Sequence, residues 1–169
     1  MTAITLRPAT SADKEYCFRL HKAAMGDYVT GIWGWDEQVQ RDFHARAFDP
    51  RSWQIIRANG TDAGMLHVER RPDEIYLARI EIHPDYQGRG IGTRLIQVLM
   101  DEARQRDQAF ALDVLANNHR AQALYQRLGL TEVARHGDRD QKVTLRLEPA
   151  GAASGRGRDL ADLPERPGL

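Results

Sequence analysis

Polar and apolar positions change period several times along this chain, and each change marks an element. Ala3 to Arg7 alternates, is rich in β-branched residues and closes at Pro8, so it is predicted as a strand. From Tyr16 the spacing becomes helical, through Leu20, Ala23 and Ala24 to about residue 25, with Thr10 or Ser11 as the cap and Asp13 and Glu15 acidic in the first turn. The stretch Gly26–Trp35 is punctuated by glycines and predicts an irregular connection. A second helix is expected from Asp36 through Val39, Phe43 and Ala47 to Phe48, ahead of Asp49-Pro50. Trp53–Ala58 and Asp62–Arg71 read as strands joined by Asn59-Gly60, a strong two-residue hairpin signal. In Ile75–His83, Ile75, Leu77, Arg79 and Glu81 alternate with Tyr76, Ala78, Ile80 and Ile82, as in a half-buried strand.

The second half alternates strand and helix. Gln87-Gly88-Arg89-Gly90-Ile91-Gly92 runs into an amphipathic helix expected to end near Asp107. Ala109–Leu115 is a strand. Asn117 or Asn118 then caps a helix carrying Ala121, Leu124, Tyr125 and Leu128, which Gly129 is placed to end. Thr131–Arg135 and Gln141–Leu147 are two last strands around His136-Gly137-Asp138. After Pro149 the chain turns to Gly, Ala, Ser and Pro with balanced charge, so residues 149–169 are expected to form a flexible tail. The order of elements predicts an α+β fold in one domain over 1–148: a mixed sheet of about seven strands, mostly antiparallel, with about four helices on its faces. The strand–helix–strand unit supplies a parallel pair with a right-handed crossover.

The glycine loop is the first chemical signal. A helix N-terminus presents unpaired amides, and consecutive turn amides form a concavity for an anion, most often a phosphate. A dinucleotide fingerprint would need its third glycine at Thr93, and a Walker A loop would need Gly-Lys-Ser/Thr; neither is present. Without further context the three glycines also fit a plain strand-to-helix turn.

Charge and composition narrow the field. Lys plus Arg equals Asp plus Glu at 24 each, so no basic surplus favours nucleic acid, and no aromatic RNA motif appears. No run approaches the ~20 apolar residues of a membrane span, and the N-terminus lacks a signal-peptide core. Cys17 is the single cysteine, and the histidines lack zinc-site spacing, so neither disulfide nor metal is expected. A cytoplasmic protein is the expectation.

Two motifs in fixed order carry a resemblance. Gln87-x-x-Gly90-x-Gly92 follows the Ile80–Ile82 strand, and Asn118-His-Arg-Ala121-Gln-Ala-Leu124-Tyr125 with Leu128-Gly129-Leu130 comes about 25 residues later. Together they resemble the GNAT superfamily of acetyl-CoA-dependent N-acetyltransferases, over nearly all of residues 3–148. Leu130 stands where the family usually carries Phe, an apolar exchange. The resemblance implies acetyl-CoA as co-substrate in a cleft where two neighbouring strands splay apart. It places the pantetheine arm along Ile80, Ile82 and His83. The pyrophosphate would lie on the amides from Gly88 through Arg89, Gly90, Ile91 and Gly92 to Thr93, beside Gln87, with charge added by Arg89 and Arg94. Asn118 and Ala121 would contribute from the second motif.

Acetyl transfer to an amine needs a neutral amine, a donor for the thioester oxyanion and an acid for the leaving thiolate. In the resemblance Tyr125 points its hydroxyl at sulfur, and a ~10 pKa keeps it protonated near neutrality. Candidates for the base are Glu81, Asp113, a water relay and, more remotely, His83. The oxyanion donor would be the backbone amide of Ile82 or His83. Tyr28, Trp33, Trp35 and Asp36, with Glu37 and Gln40, would form the acceptor pocket, where aromatic faces and carboxylates suit a cationic amine. The expected activity is therefore acetyl transfer to a primary amine of a small molecule or protein. The alternative is an acyl-CoA-binding sensor without turnover. These residues leave open the acceptor, the acyl length and whether a homodimer forms.

Overall fold

Asn59 and Gly60 take φ angles of 50° and 81°, the left-handed pair that a tight hairpin requires. In this computed structural model, which describes residues 1–151, they fold β2 (Trp53–Ala58) onto β3 (Thr61–Arg70). Asn59 also ties in β1 (Ile4–Pro8): its side-chain oxygen accepts from the Ala3 amide at 2.9 Å. A second turn, closed by the Arg71 amide on the Glu74 carbonyl at 2.9 Å, leads into β4 (Glu74–Ile82). These four strands are the expected antiparallel meander.

Helix α3 (Ile91–Gln105) crosses to β5 (Ala109–Leu115), which pairs parallel with β4. After α4 (His119–Arg127), β6 (Thr131–His136) and β7 (Lys142–Leu147) complete a seven-stranded sheet in the order β1-β2-β3-β4-β5-β7-β6. Helices α3 and α4 cover one face: Ile96, Leu99, Met100 and Tyr125 pack with Ile56, Leu66, Leu77, Phe110, Leu112 and Leu145. Helices α1 (Lys14–Trp33) and α2 (Glu37–Ala47) lie on the other, where Cys17 and Leu20 meet Trp53, Ile55 and Met65. The start of α1 is pinned by Arg7, whose guanidinium donates to both oxygens of Asp13 at 2.9 Å and to Asp62 at 2.8 Å. Among the described residues no helix is long and apolar enough to cross a membrane. The tail expected over 149–169 lies, from residue 152 on, outside the described residues.

Two expectations need correction. Gly26 and Gly31 do not interrupt the chain: α1 runs unbroken to Trp33, and Gly34 (φ 76°) ends it. Packing favours glycine at 31, whereas at 26 a side chain would make only ordinary contact. A Cβ on Gly26 would touch the Trp35 ring at 3.9 Å, and one on Gly31 would stand 3.1 Å from the Asn117 side-chain nitrogen. Glycine's low helix propensity is a loss of roughly 1 kcal/mol, which close packing of a long helix offsets.

Nor does β4 alternate regularly. Its register against β3 shifts between the pairs His67↔Arg79 and Val68↔Leu77, leaving Ala78 as an extra residue. The bulge reverses the phase of the pleat. Ile75 and Leu77 before it, and Ile80 and Ile82 after it, all join the α3–α4 core. Tyr76, Arg79 and Glu81 are left on the α1–α2 face.

Candidate active site

The bulge and the parallel pair together make the site. Pairing of β4 with β5 ends at Leu77↔Leu112, immediately before Ala78. Beyond that point the strands separate, because the bulge bends β4 away from its neighbour. The resulting cleft has a volume of about 1060 Å³ and joins the two faces of the sheet. On the α3–α4 side it is lined by Ile80, Asn118 and Tyr125. On the α1–α2 side it is lined by Glu81, Asp113, His21, Met25, Val29, Trp33, Asp36, Val39, Gln40 and Phe43.

Main-chain geometry distinguishes the two expected amides at the end of β4. The His83 amide donates to the Ala63 carbonyl at 2.8 Å and is thus engaged in the sheet. Amides along a strand turn to alternate edges. The Ile82 amide therefore faces the β5 edge, where no partner strand remains. Of the two expected oxyanion donors, Ile82 fits and His83 does not. The Ile82 carbonyl beside it accepts from the Gln87 side-chain amide at 2.9 Å, so Gln87 seals the strand end and does not reach toward a phosphate.

The glycine loop leaves open the space in front of the α3 N-terminus, which could form a cradle for an anion. Gly88 and Gly90 have φ angles of 75° and 77°, with open space where a Cβ would lie. Gly90 is the N-cap of α3, so the amides of Ile91, Gly92 and Thr93 lack intrahelical acceptors. Neither arginine points into this cradle. Arg89 donates to the Asp85 carbonyl at 3.1 Å and lies over Tyr86, while Arg94 donates to the Thr2 carbonyl at 2.8 Å.

Tyr125 projects from α4 into the core and is 9% exposed. Burial pushes its phenol up to about 12, so it remains a proton donor. Asn118 caps α4 as expected, accepting from the Ala121 amide at 3.2 Å. That bond engages its side-chain oxygen and fixes Ala121 in the first turn, while Asn118 still borders the cleft.

Both candidate carboxylates face the α1–α2 side, in different surroundings. Glu81 is 7% exposed and accepts from His21 Nδ1 at 2.6 Å, with Arg79 at 3.5 Å. Burial pushes its pKa up, but the Arg79 charge and the hydrogen bond from His21 outweigh this and hold it below the usual range. Asp113 accepts from the Tyr76 hydroxyl and the Thr144 hydroxyl, each at 2.5 Å, and from His136 Nε2 at 3.2 Å. These donors come from β4, β7 and β6, so Asp113 braces the sheet beyond the point where strand pairing stops.

The remaining candidates divide. Trp33 and Asp36 line the cleft; Tyr28 and Trp35 do not. Trp35 folds back toward Phe18 and His21, and its indole donates to Glu37 at 2.8 Å. The Tyr28 carbonyl accepts from Asn117 at 3.0 Å, tying α1 to the end of β5. His83 lies past the end of β4, where its ring caps the Pro84–Tyr86 turn by accepting from the Asp85 amide. His21, Arg79, His136 and Thr144 were not among the expected site residues. His21 had a signal: it is a polar position in the stripe Cys17, His21, Met25, Val29, at helical spacing.

Known proteins share this chain's sequence pattern and fold. The Acetyltransferase (GNAT) family model matches residues 16–130. The chain belongs to the GNAT acetyltransferase family. It is 31% identical over 136 residues to the N-alpha-acetyltransferase RimI of Mycobacterium tuberculosis strain H37Rv, covering 77% of this chain and 80% of that one. Against the [ribosomal protein bS18]-alanine N-acetyltransferase of Escherichia coli K12 it is 40% identical over 78 residues, 46% of this chain and about half, 53%, of the relative. Among solved structures, the PaiA N-acetyltransferase of Thermoplasma acidophilum in complex with coenzyme A superposes with a TM-score of 0.69 at 14% identity, over 86% of this chain and 99% of that one. This GNAT chain thus has the family's seven-stranded fold and is an acyltransferase by descent.

Proposed function

We propose that this GNAT enzyme transfers the acetyl group of acetyl-CoA to the α-amine at a polypeptide N-terminus. The observation that carries the reading is the cleft itself. It brings Tyr125 from one face of the sheet, and Glu81 and Asp113 from the other, to the gap that opens where β4 and β5 stop pairing. The acceptor class is supported by the two relatives named for N-alpha or alanine N-acetylation.

Acetyl-CoA would lie along these residues. Its pyrophosphate would be held by the amides that open α3, beside Gly88 and Gly90. The pantetheine arm would run along Ile80 and Ile82. When bound, acetyl-CoA supplies an activated thioester. The Ile82 amide then donates to the oxygen on which negative charge develops. Tyr125 gives a proton to the leaving sulfur. The amine enters from the α1–α2 side, where Met25, Val29, Trp33, Val39 and Phe43 offer apolar contact to the residues that follow it. An α-amine titrates near ~8, against ~10.4 for a lysine, so a weak base in the cleft suffices. A cytoplasmic location goes with this reading.

The test is release of free CoA thiol from acetyl-CoA with a peptide bearing a free N-terminal alanine. Free alanine, lysine and a polyamine serve as competitors. Release with the peptide alone supports the proposal. Preference for a small amine would move the acceptor to that class. Acetyl-CoA binding without release from any amine would favour a sensor.

A further inference from the structure

We propose that His21 is the general base of this site and that Glu81 is its positioning residue. The inference rests on the acetyl-transfer reading above and names the proton acceptor which that reading leaves undecided.

His21 Nδ1 lies 2.6 Å from Glu81 Oε1. A carboxylate accepts only, so the ring donates its Nδ1 proton there, and in the neutral ring Nε2 carries the lone pair. Among the described residues Nε2 has no hydrogen-bond partner, and the His21 side chain lines the cleft with 17% exposure. A buried carboxylate that fixes the tautomer and stabilises the imidazolium formed is the arrangement by which an ordinary histidine becomes an oriented base. Glu81 is poorly placed to act alone. It lies deeper, and both its oxygens face Arg79 at 3.5 Å. Arg79 is itself held from behind by Trp53, whose ring is 4.9 Å from the guanidinium carbon. The opposite wall offers a weaker version. His136 lies 3.2 Å from Asp113 and is 40% exposed, while the Asp113 oxygens are already met by Tyr76 and Thr144. Glu81 directly precedes Ile82, so the positioning residue and the oxyanion donor are neighbours at one end of β4.

Nε2 takes one proton from the entering ammonium and leaves a nitrogen lone pair. The N–C bond forms as the C–S bond breaks. The sulfur takes the phenolic proton of Tyr125, and the second proton shed by nitrogen returns to Tyr125 through solvent. The charged and titratable groups around the ring are Glu81 and Arg79 of β4 and His44 and Glu37 of α2. His67 of β3 lies toward Arg79, Lys22 of α1 is paired with Glu37 at 2.9 Å, and Asp113 lies across the cleft.

Two measurements test this. The first is the pH profile of kcat/KM with acetyl-CoA and the alanine-starting peptide, for wild type, His21→Gln, His21→Ala and Glu81→Gln. The base role predicts that His21→Gln lowers kcat/KM by about 10²-fold or more and removes the acidic limb. Imidazole should restore part of the activity of His21→Ala, and Glu81→Gln should move the limb to lower pH. A His21→Gln variant within about threefold of wild type, with the limb intact, overturns the proposal. The second measurement is the nitrogen NMR spectrum of the His21 ring in the intact, acetyl-CoA-free protein. A neutral Nδ1–H tautomer that is lost in Glu81→Gln supports the dyad; an Nε2–H tautomer overturns it. If wild type releases no CoA with the peptide, the acceptor reading fails, and the tautomer still decides between support and refutation of this inference.

Discussion

Gly64 of β3 lies directly against the backbone of Glu81: a Cβ built on Gly64 would stand 2.6 Å from the Glu81 carbonyl oxygen. The same Cβ would crowd the Ile82 and Ile56 side chains at 3.1 and 3.2 Å. No side chain larger than hydrogen fits unless β4 moves, and it is β4 that carries Ile80, Glu81 and Ile82 past the bulge. Gly64→Ala is therefore expected to destabilise the protein by about 1–3 kcal/mol and to lower kcat/KM beyond that effect, because the Ile82 amide and Glu81 shift together. Thermal melts alongside peptide acetylation at saturating acetyl-CoA check this; unchanged turnover in a destabilised variant would separate Gly64 from the site.

Gly90 should affect the cofactor more than the fold. A side chain at its φ of 77° is strained by roughly 1–2 kcal/mol, but the space around it is open. Gly90→Val is expected to remain folded and to bind CoA much more weakly, since the branched side chain would stand among the amides at the start of α3. Calorimetric titration with CoA, compared with the melting temperature, distinguishes the two effects. Equal affinity in the variant would place the pyrophosphate elsewhere.

Tyr125→Phe removes one hydroxyl from a buried ring. Turnover is expected to fall by about 10²-fold or more, with CoA affinity retained. Because burial carries the phenol up to about 12, its loss of the proton cannot produce an alkaline limb near pH 9. An alkaline limb in that region that disappears in Tyr125→Phe would contradict this environment for the ring.

The Arg7–Asp13 pair predicts an acid-sensitive fold. The two-pronged hydrogen bond from Arg7 holds the Asp13 carboxyl below its ordinary value, against burial, which pushes it up. A depressed carboxyl contributes stability that is fully present above the unfolded pKa of ~3.9 and is lost as pH falls through the folded value. Asp13→Asn should cost roughly 1–3 kcal/mol at pH 7. The gap between variant and wild type should close only below about pH 4. Denaturant midpoints from pH 7 to pH 3 measure it, and a gap constant over that range would rule out the linkage.

The sequence by itself determined the elements and their order. Asn59-Gly60 specified its hairpin, Asn118 its helix cap and Gly88–Gly92 its strand-to-helix loop, because each depends on the backbone preference of residues close in sequence. Even the bulge left a trace, in the phase change from Ile75 and Leu77 to Ile80 and Ile82. The glycines at 26 and 31 misled because a long helix absorbs both, and the closeness of Gly31 to Asn117 exists only in space. What only the tertiary structure decided is the proton chemistry. His21 and Glu81 are separated by 60 positions in sequence and meet at 2.6 Å because α1 lies across the face of β4 to which the bulge turned Glu81. Local pattern fixes which way a strand faces, but the partner across a sheet–helix interface follows from how the whole core packs, and there a carboxylate becomes a base or the support of one.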